Sequence, residues 1–141
     1  MSIQAVLLPL FVQVALTFVL LFWMGFARAS AIKRKETRIA NIALGQMNWA
    51  PRVQQLSNCY ASQFQVPVLF YVLVILAIIT RHADLLFVVL AWLFVLARLV
   101  HAYIHTGTNY VPHRFNAFLA GVVILLAMWL IFAARILLGL A

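Results

Sequence analysis

The chain has 141 residues, of which 67% are hydrophobic and 9% charged, and its formal net charge is +8. A soluble domain of this length is about a quarter charged, so a water-exposed globule is excluded, and a mean hydropathy of +1.10 makes a bilayer the solvent. The basic excess does not point to nucleic acid, because most Lys and Arg residues flank apolar runs, and the lone cysteine, Cys59, excludes an intrachain disulfide framework.

A bilayer core of about 30 Å takes roughly 20 helical residues. The first apolar run, residues 3–27, predicts a span; it is too long for a signal-peptide core and its positive charge follows it rather than precedes it. The polar stretch ARASAIKRKETRIANIALGQMNWAP comes next, begun by an extension of the first helix and closed where Pro51 restarts helical structure. The second span is expected over residues 53–79. Its fully apolar part, VPVLFYVLVILAII, is about 21 Å long at 1.5 Å per residue, too short to cross. The helix must therefore take in SNCYASQFQ, whose polar side chains have to avoid lipid. Asn58, Ser62 and Gln65 fall on one helical face, and Pro67 predicts a bend. A polar pocket in one half of the membrane follows. The third and fourth spans are expected over residues 83–105 and 112–138, joined by a turn carrying Gly107 and Asn109. The expected fold is all-α, one domain of residues 1–141 forming a four-helix transmembrane bundle.

The first and third connections hold Arg28, Lys33, Arg34, Lys35, Arg38, Arg52 and Arg114, whereas the other side has Arg81 and Arg135. The positive-inside rule then puts both polar connections in the cytoplasm and both termini outside it.

The third span carries the most informative residues. Arg98, His101 and His105 lie at i, i+3 and i+7 and share a face. Arg98 sits about 22 Å along a helix starting at Ala83, where a central arginine costs roughly 2.5–3.5 kcal/mol to insert. Its expected partner is the Asn58/Ser62/Gln65 face. Arg98 reads either as a tie between helices or as a ligand group. His101 and His105 read as packed, hydrogen-bonded histidines in preference to a metal pair, because Glu36 and Asp84 are the only acids in the chain, and no metal site is expected. Arg114 begins the fourth span, where helix-terminal N–H groups favour an anion. It reads either as a topology anchor or as an anion and thiolate partner. Asn58, Ser62 and Gln65 read as interhelical hydrogen-bonding groups or as the lining of a ligand site.

The stretch RLVHAYIHTGTNYVPHRF resembles the third-to-fourth-helix region of the MAPEG superfamily, membrane-associated proteins in eicosanoid and glutathione metabolism. An arginine and a histidine three on match Arg98 and His101, a turn proline matches Pro112, and the arginine that members use to stabilise the glutathione thiolate falls on Arg114. The segment QFQVPVLFY is similar to the family's Asn-x-x-Glu stretch followed by proline and an apolar run. The likeness covers most of the chain, with departures: Gln65 stands for the family glutamate, Ser62 for the asparagine, His105 for a tyrosine and Phe115 for a serine.

The resemblance implies a bacterial-type, microsomal glutathione transferase-like member, homotrimeric, in the bacterial inner membrane. It implies glutathione as co-substrate and a lipophilic small molecule as acceptor, with membrane lipids as surroundings. Arg114 takes the catalytic role; Arg52, Ser62, Gln65, Arg98, His101 and His105 bind glutathione. The activity expected is a glutathione S-transferase or peroxidase acting on a lipophilic electrophile. The alternative is a non-catalytic lipid-binding or scaffold protein of the same superfamily, which Gln65 favours because it supplies no carboxylate for glutathione's ammonium group.

Overall fold

The computed structural model describes residues 1–140. Five α-helices follow one another: α1, Ile3–Lys33; α2, Pro51–Ser62; α3, Val66–Ile79; α4, Leu85–Thr106; and α5, Val111–Leu137. A single 3-10 turn, Ile39–Asn41, interrupts the connection between α1 and α2. The described residues are otherwise helix, turn and loop. Four helical units are long and apolar enough to cross a membrane: α1, α2 with α3, α4, and α5.

Proline chemistry divides the second unit. A continuous helix would press the Pro67 ring against the Gln63 carbonyl and leave that carbonyl without a donor, because proline has no N–H. The residue before a proline also resists helical geometry. The chain instead leaves helical structure at Gln63, and Gln65 caps α3 at φ −97° and ψ −107°. Pro67 thereby stands in the first turn of α3, where a missing N–H does no harm.

The helix α4 is the centre of the molecule. It packs against α1, α2 and α5, while α3 packs between α1 and α5. Towards the Asp84 end the core is wholly apolar, with Phe70, Leu73, Val74, Ala77, Ala91, Phe94 and Val95 fully buried. The Phe70 and Phe94 rings stack with centroids 4.7 Å apart. The outer faces carry Phe11, Phe18, Phe22, Leu69, Ile75, Val123 and Leu130 exposed, a surface suited to acyl chains. In lipid, apolar burial does not drive helices together, so close packing and interhelical hydrogen bonds must do so.

At the end of α4 that begins the helix, Asp84 performs two tasks. Its side chain accepts from the Phe87 N–H at 3.0 Å as the N-cap of α4. It also meets Arg135 of α5 at 2.8 Å. Arg135 holds the Asp84 carboxyl below its usual 3.8, chiefly through this hydrogen bond. A depressed folded-state value means that the pair's contribution is complete above the unfolded value and is lost as the pH falls below it. Since the Asp84 side chain is 48% exposed, the pair itself contributes no more than about 1 kcal/mol.

Asp84→Ala, which removes cap and pair, should destabilise the protein by about 1–2 kcal/mol, measured by detergent-induced unfolding in mixed micelles at neutral pH. Asp84→Asn keeps a capping oxygen and should cost about 1 kcal/mol or less. The difference between Asp84→Asn and the unaltered protein should shrink as the pH is lowered below 4.

Candidate functional site

The half of the bundle away from Asp84 is built on different chemistry. Arg98 of α4 is 2% exposed, and its Nη2 donates to the Ser62 hydroxyl at 3.0 Å and to the Ser62 carbonyl at 3.3 Å. Ser62 is the last residue of α2, so the break that Pro67 imposes takes its carbonyl out of the regular helical ladder, where it accepts from the Gln65 N–H at 3.3 Å and from Arg98 as well. The Ser62 hydroxyl donates to the Cys59 carbonyl at 2.6 Å and accepts from Gln63 Nε2 at 3.0 Å. Gln63 Oε1 in turn accepts from Gln13 Nε2 of α1 at 2.8 Å. One buried chain of hydrogen bonds thus ties α1, α2 and α4, with a guanidinium at its end and neutral groups throughout.

On the other side of Ser62 lies a groove of about 510 Å³ between the end of α2 and the start of α5. Asn58, Ser62, Gln65, His101, His105 and Arg114 supply its polar lining, with Met47, Phe115 and Phe118 beside them. His101 and His105 are 4% and 7% exposed, one helical turn apart, with ring centroids 5.3 Å apart in an edge-to-face arrangement. The Nδ1 atom of each is buried without a hydrogen-bond partner. Among the described residues, no group of three His, Cys, Asp or Glu side chains is placed to hold a metal ion.

The turn from α4 to α5 sets Arg114. Gly107 ends α4 where an added Cβ would lie 2.9 Å from the Tyr103 carbonyl oxygen, so the position excludes a side chain. Asn109 then adopts φ 52°, a left-handed conformation that asparagine tolerates, and its N–H closes onto the Ile104 carbonyl at 2.8 Å. The same Asn109 presents Oδ1 to Arg114 Nη1 at 2.7 Å. A residue required by the turn therefore fixes the cation in the first turn of α5.

Two predicted site residues stand apart from the groove lining. Arg98 is behind Ser62, bonded to the wall rather than lining the cavity. Arg52, at the start of α2, donates to the Thr106 carbonyl and lies 5.2 Å over the Trp23 ring. Gln55 Nε2 joins it, donating to the His105 and Gly107 carbonyls at 2.7 and 3.0 Å. Helix ends leave four carbonyls without intrahelical donors, and a cation is favoured there, so Arg52 and Gln55 cap α4 from a neighbouring helix. Ser62, Gln65, His101, His105 and Arg114 are brought together. Gln13 and Gln63 were not singled out by the sequence, and Asn109 was read as a turn residue but not as the partner of Arg114; Gln13, a lone amide within an apolar run, was the available signal.

A second groove of about 450 Å³ continues along the same seam, lined by Val66, Leu69, Val122, Leu125, Leu126 and Trp129. Val66 follows Gln65 directly, and Val122 is one turn beyond Phe118. Polar and apolar grooves thus succeed each other between the second helical unit and α5.

The MAPEG family model matches residues 6–134. No curated protein matches the chain, and no solved structure does.

Ser62→Ala should remove the hydroxyl shared by Arg98, Gln63 and Cys59, leaving buried donors short of an acceptor at a cost of about 1–3 kcal/mol. Ser62→Thr, which retains a hydroxyl, should cost less. Unfolding in mixed micelles measures both; equal losses would show that volume, not the hydroxyl, matters at this position.

Proposed function

The chain belongs to the MAPEG family, and from that premise we propose that it is a membrane enzyme joining glutathione to a lipophilic electrophile or using it to reduce one. The observation that carries this reading is the succession of a polar, cation-lined groove and an apolar one between the second helical unit and α5. Water-soluble and lipid-soluble reactants could meet where the two adjoin, near Gln65 and Phe118.

Glutathione supplies a thiolate, which bonds to carbon as halide leaves, or attacks a peroxide oxygen so that the O–O bond breaks, the alcohol departs and a second glutathione takes the sulfenate to the disulfide and water. The chain's own residues do the rest. Arg114, oriented by Asn109, stabilises the thiolate, since a guanidinium beside a sulfur favours its ionised form. His101 and His105 offer imidazole nitrogens to the carboxylates or amides of the peptide, and Ser62 and Gln65 add neutral hydrogen-bonding groups. Arg98 acts as a positioning residue through Ser62, and Arg52 through the end of α4. Phe115 and Phe118 face the acceptor.

The excess of Lys and Arg at the groove end supports a cytoplasmic opening, with both termini on the other side of a bacterial inner membrane. A homotrimer, which the family resemblance implies, would bury part of the apolar surface that the helices leave exposed.

A scaffold reading is favoured by Gln65 specifically: a lipid could occupy the apolar groove with no thiol chemistry beside it. The two separate on one variant. In detergent-purified protein assayed with glutathione and a lipophilic aryl halide or lipid hydroperoxide, Arg114→Ala should lower kcat/KM by about a hundredfold or more. Absence of turnover in the unaltered protein, together with lipid binding unaffected by Arg114→Ala, would establish the scaffold instead.

A further inference from the structure

The charge census of the groove goes beyond its cations. The chain has two acidic residues, Glu36 and Asp84, and neither lines the groove. Asp84 is at the far end of α4, paired with Arg135. Glu36 is exposed on the segment after α1. A smaller cavity of about 210 Å³ shares Met47, Asn58 and Ala61 with the groove and adds Arg28, again with no acid. Arg28 donates to Ser57 Oγ at 3.2 and 3.0 Å and lies 4.8 Å over the Trp49 ring, so it is held in place by neutral groups. The connected trough has arginine at both ends, the edges of two largely buried histidines in its lining, and side-chain acceptors that are all neutral.

A ligand ammonium group entering this trough would lose hydration without gaining a carboxylate, and would sit among like charges. Anionic groups meet the opposite situation. We infer that the trough selects polyanionic ligands that lack a cationic amine, and that it holds its thiol co-substrate by anionic groups alone. This rests on the functional reading above, and it deepens that reading: glutathione carries two carboxylates and one ammonium at neutral pH, so its amine opposes binding here. Gln65, at the groove's inner edge, is the position from which a carboxylate would reverse the selection.

The test compares glutathione with N-acetylglutathione, which keeps both carboxylates and the thiol but has no ammonium, by calorimetric titration of the purified full-length protein. N-acetylglutathione should bind about tenfold more tightly. Gln65→Glu should reduce or invert that ratio, whereas Glu36→Gln should leave it unchanged. Glutathione binding as tightly as its acetylated form, or more tightly, overturns the inference and leaves the glutathione-dependent reading standing. A ratio that moves with Glu36→Gln overturns it too, because a neighbouring copy would then be supplying the missing acid. If neither peptide binds, both readings fall. The comparison in the unaltered protein decides the matter even if Gln65→Glu does not fold.

Discussion

Arg98 imposes the condition around which the rest of the structure is arranged. A guanidinium at membrane depth cannot borrow hydrogen bonds from lipid, so protein groups must supply them, and neither carboxylate does: Asp84 is at the far end of α4 with Arg135, and Glu36 is exposed on the connection after α1. Ser62 supplies both a carbonyl and a hydroxyl. It can do so because the second helical unit stops there, and it stops there because Pro67 forbids a continuous ladder. A helix break that would be a defect in a simple span is here the source of acceptors. Gln63 and Gln13 then extend the network to α1, so that three helices are held by polar contacts of defined geometry.

The same arrangement divides the molecule into two materials. Around Phe70 and Phe94 the helices are joined by close apolar packing, closed at the tip by the Asp84–Arg135 pair. Around Ser62 they are joined by hydrogen bonds, and the packing opens into a groove. A rigid apolar half beside a polar, hollow half gives a site fixed on helices rather than on loops, which favours precise placement of ligand groups. Both walls of the groove depend on turn chemistry: the break after Ser62 on one side, and the Gly107–Asn109 turn that aims Arg114 on the other.

Much of this was legible in the residues. Four apolar runs specified four spans. The 14-residue length of the apolar part of the second, together with Pro67, required a polar, bent continuation. The spacing of Arg98, His101 and His105 put them on one buried face of α4. What was not legible is the division of labour within that face: Ser62 turns both to Arg98 and to the groove, whereas Asn58 and Gln65 line the groove without meeting Arg98. Helical periodicity gives direction around an axis but not which neighbour occupies it. Gln13 was hidden for a related reason, since an amide in an apolar run announces a partner without naming it, and that partner lies 50 residues away. Arg52 was obscured because capping another helix's carbonyls depends on how two chain ends meet in space.

The central claim is that the end of the bundle beyond Ser62 encloses a wet, polar groove that gives way to a dry, apolar one at Gln65. In a Cys59→Ala background, single cysteines can be placed at Gln65, at Leu69 and, as a marker of the basic connection, at Lys35. Proteoliposomes are then exposed to a membrane-impermeant maleimide from each side. The account predicts labelling at position 65 from the same side as position 35, and none at position 69, which faces lipid and the apolar groove. Silence at position 65, or equal labelling at 65 and 69, would contradict it.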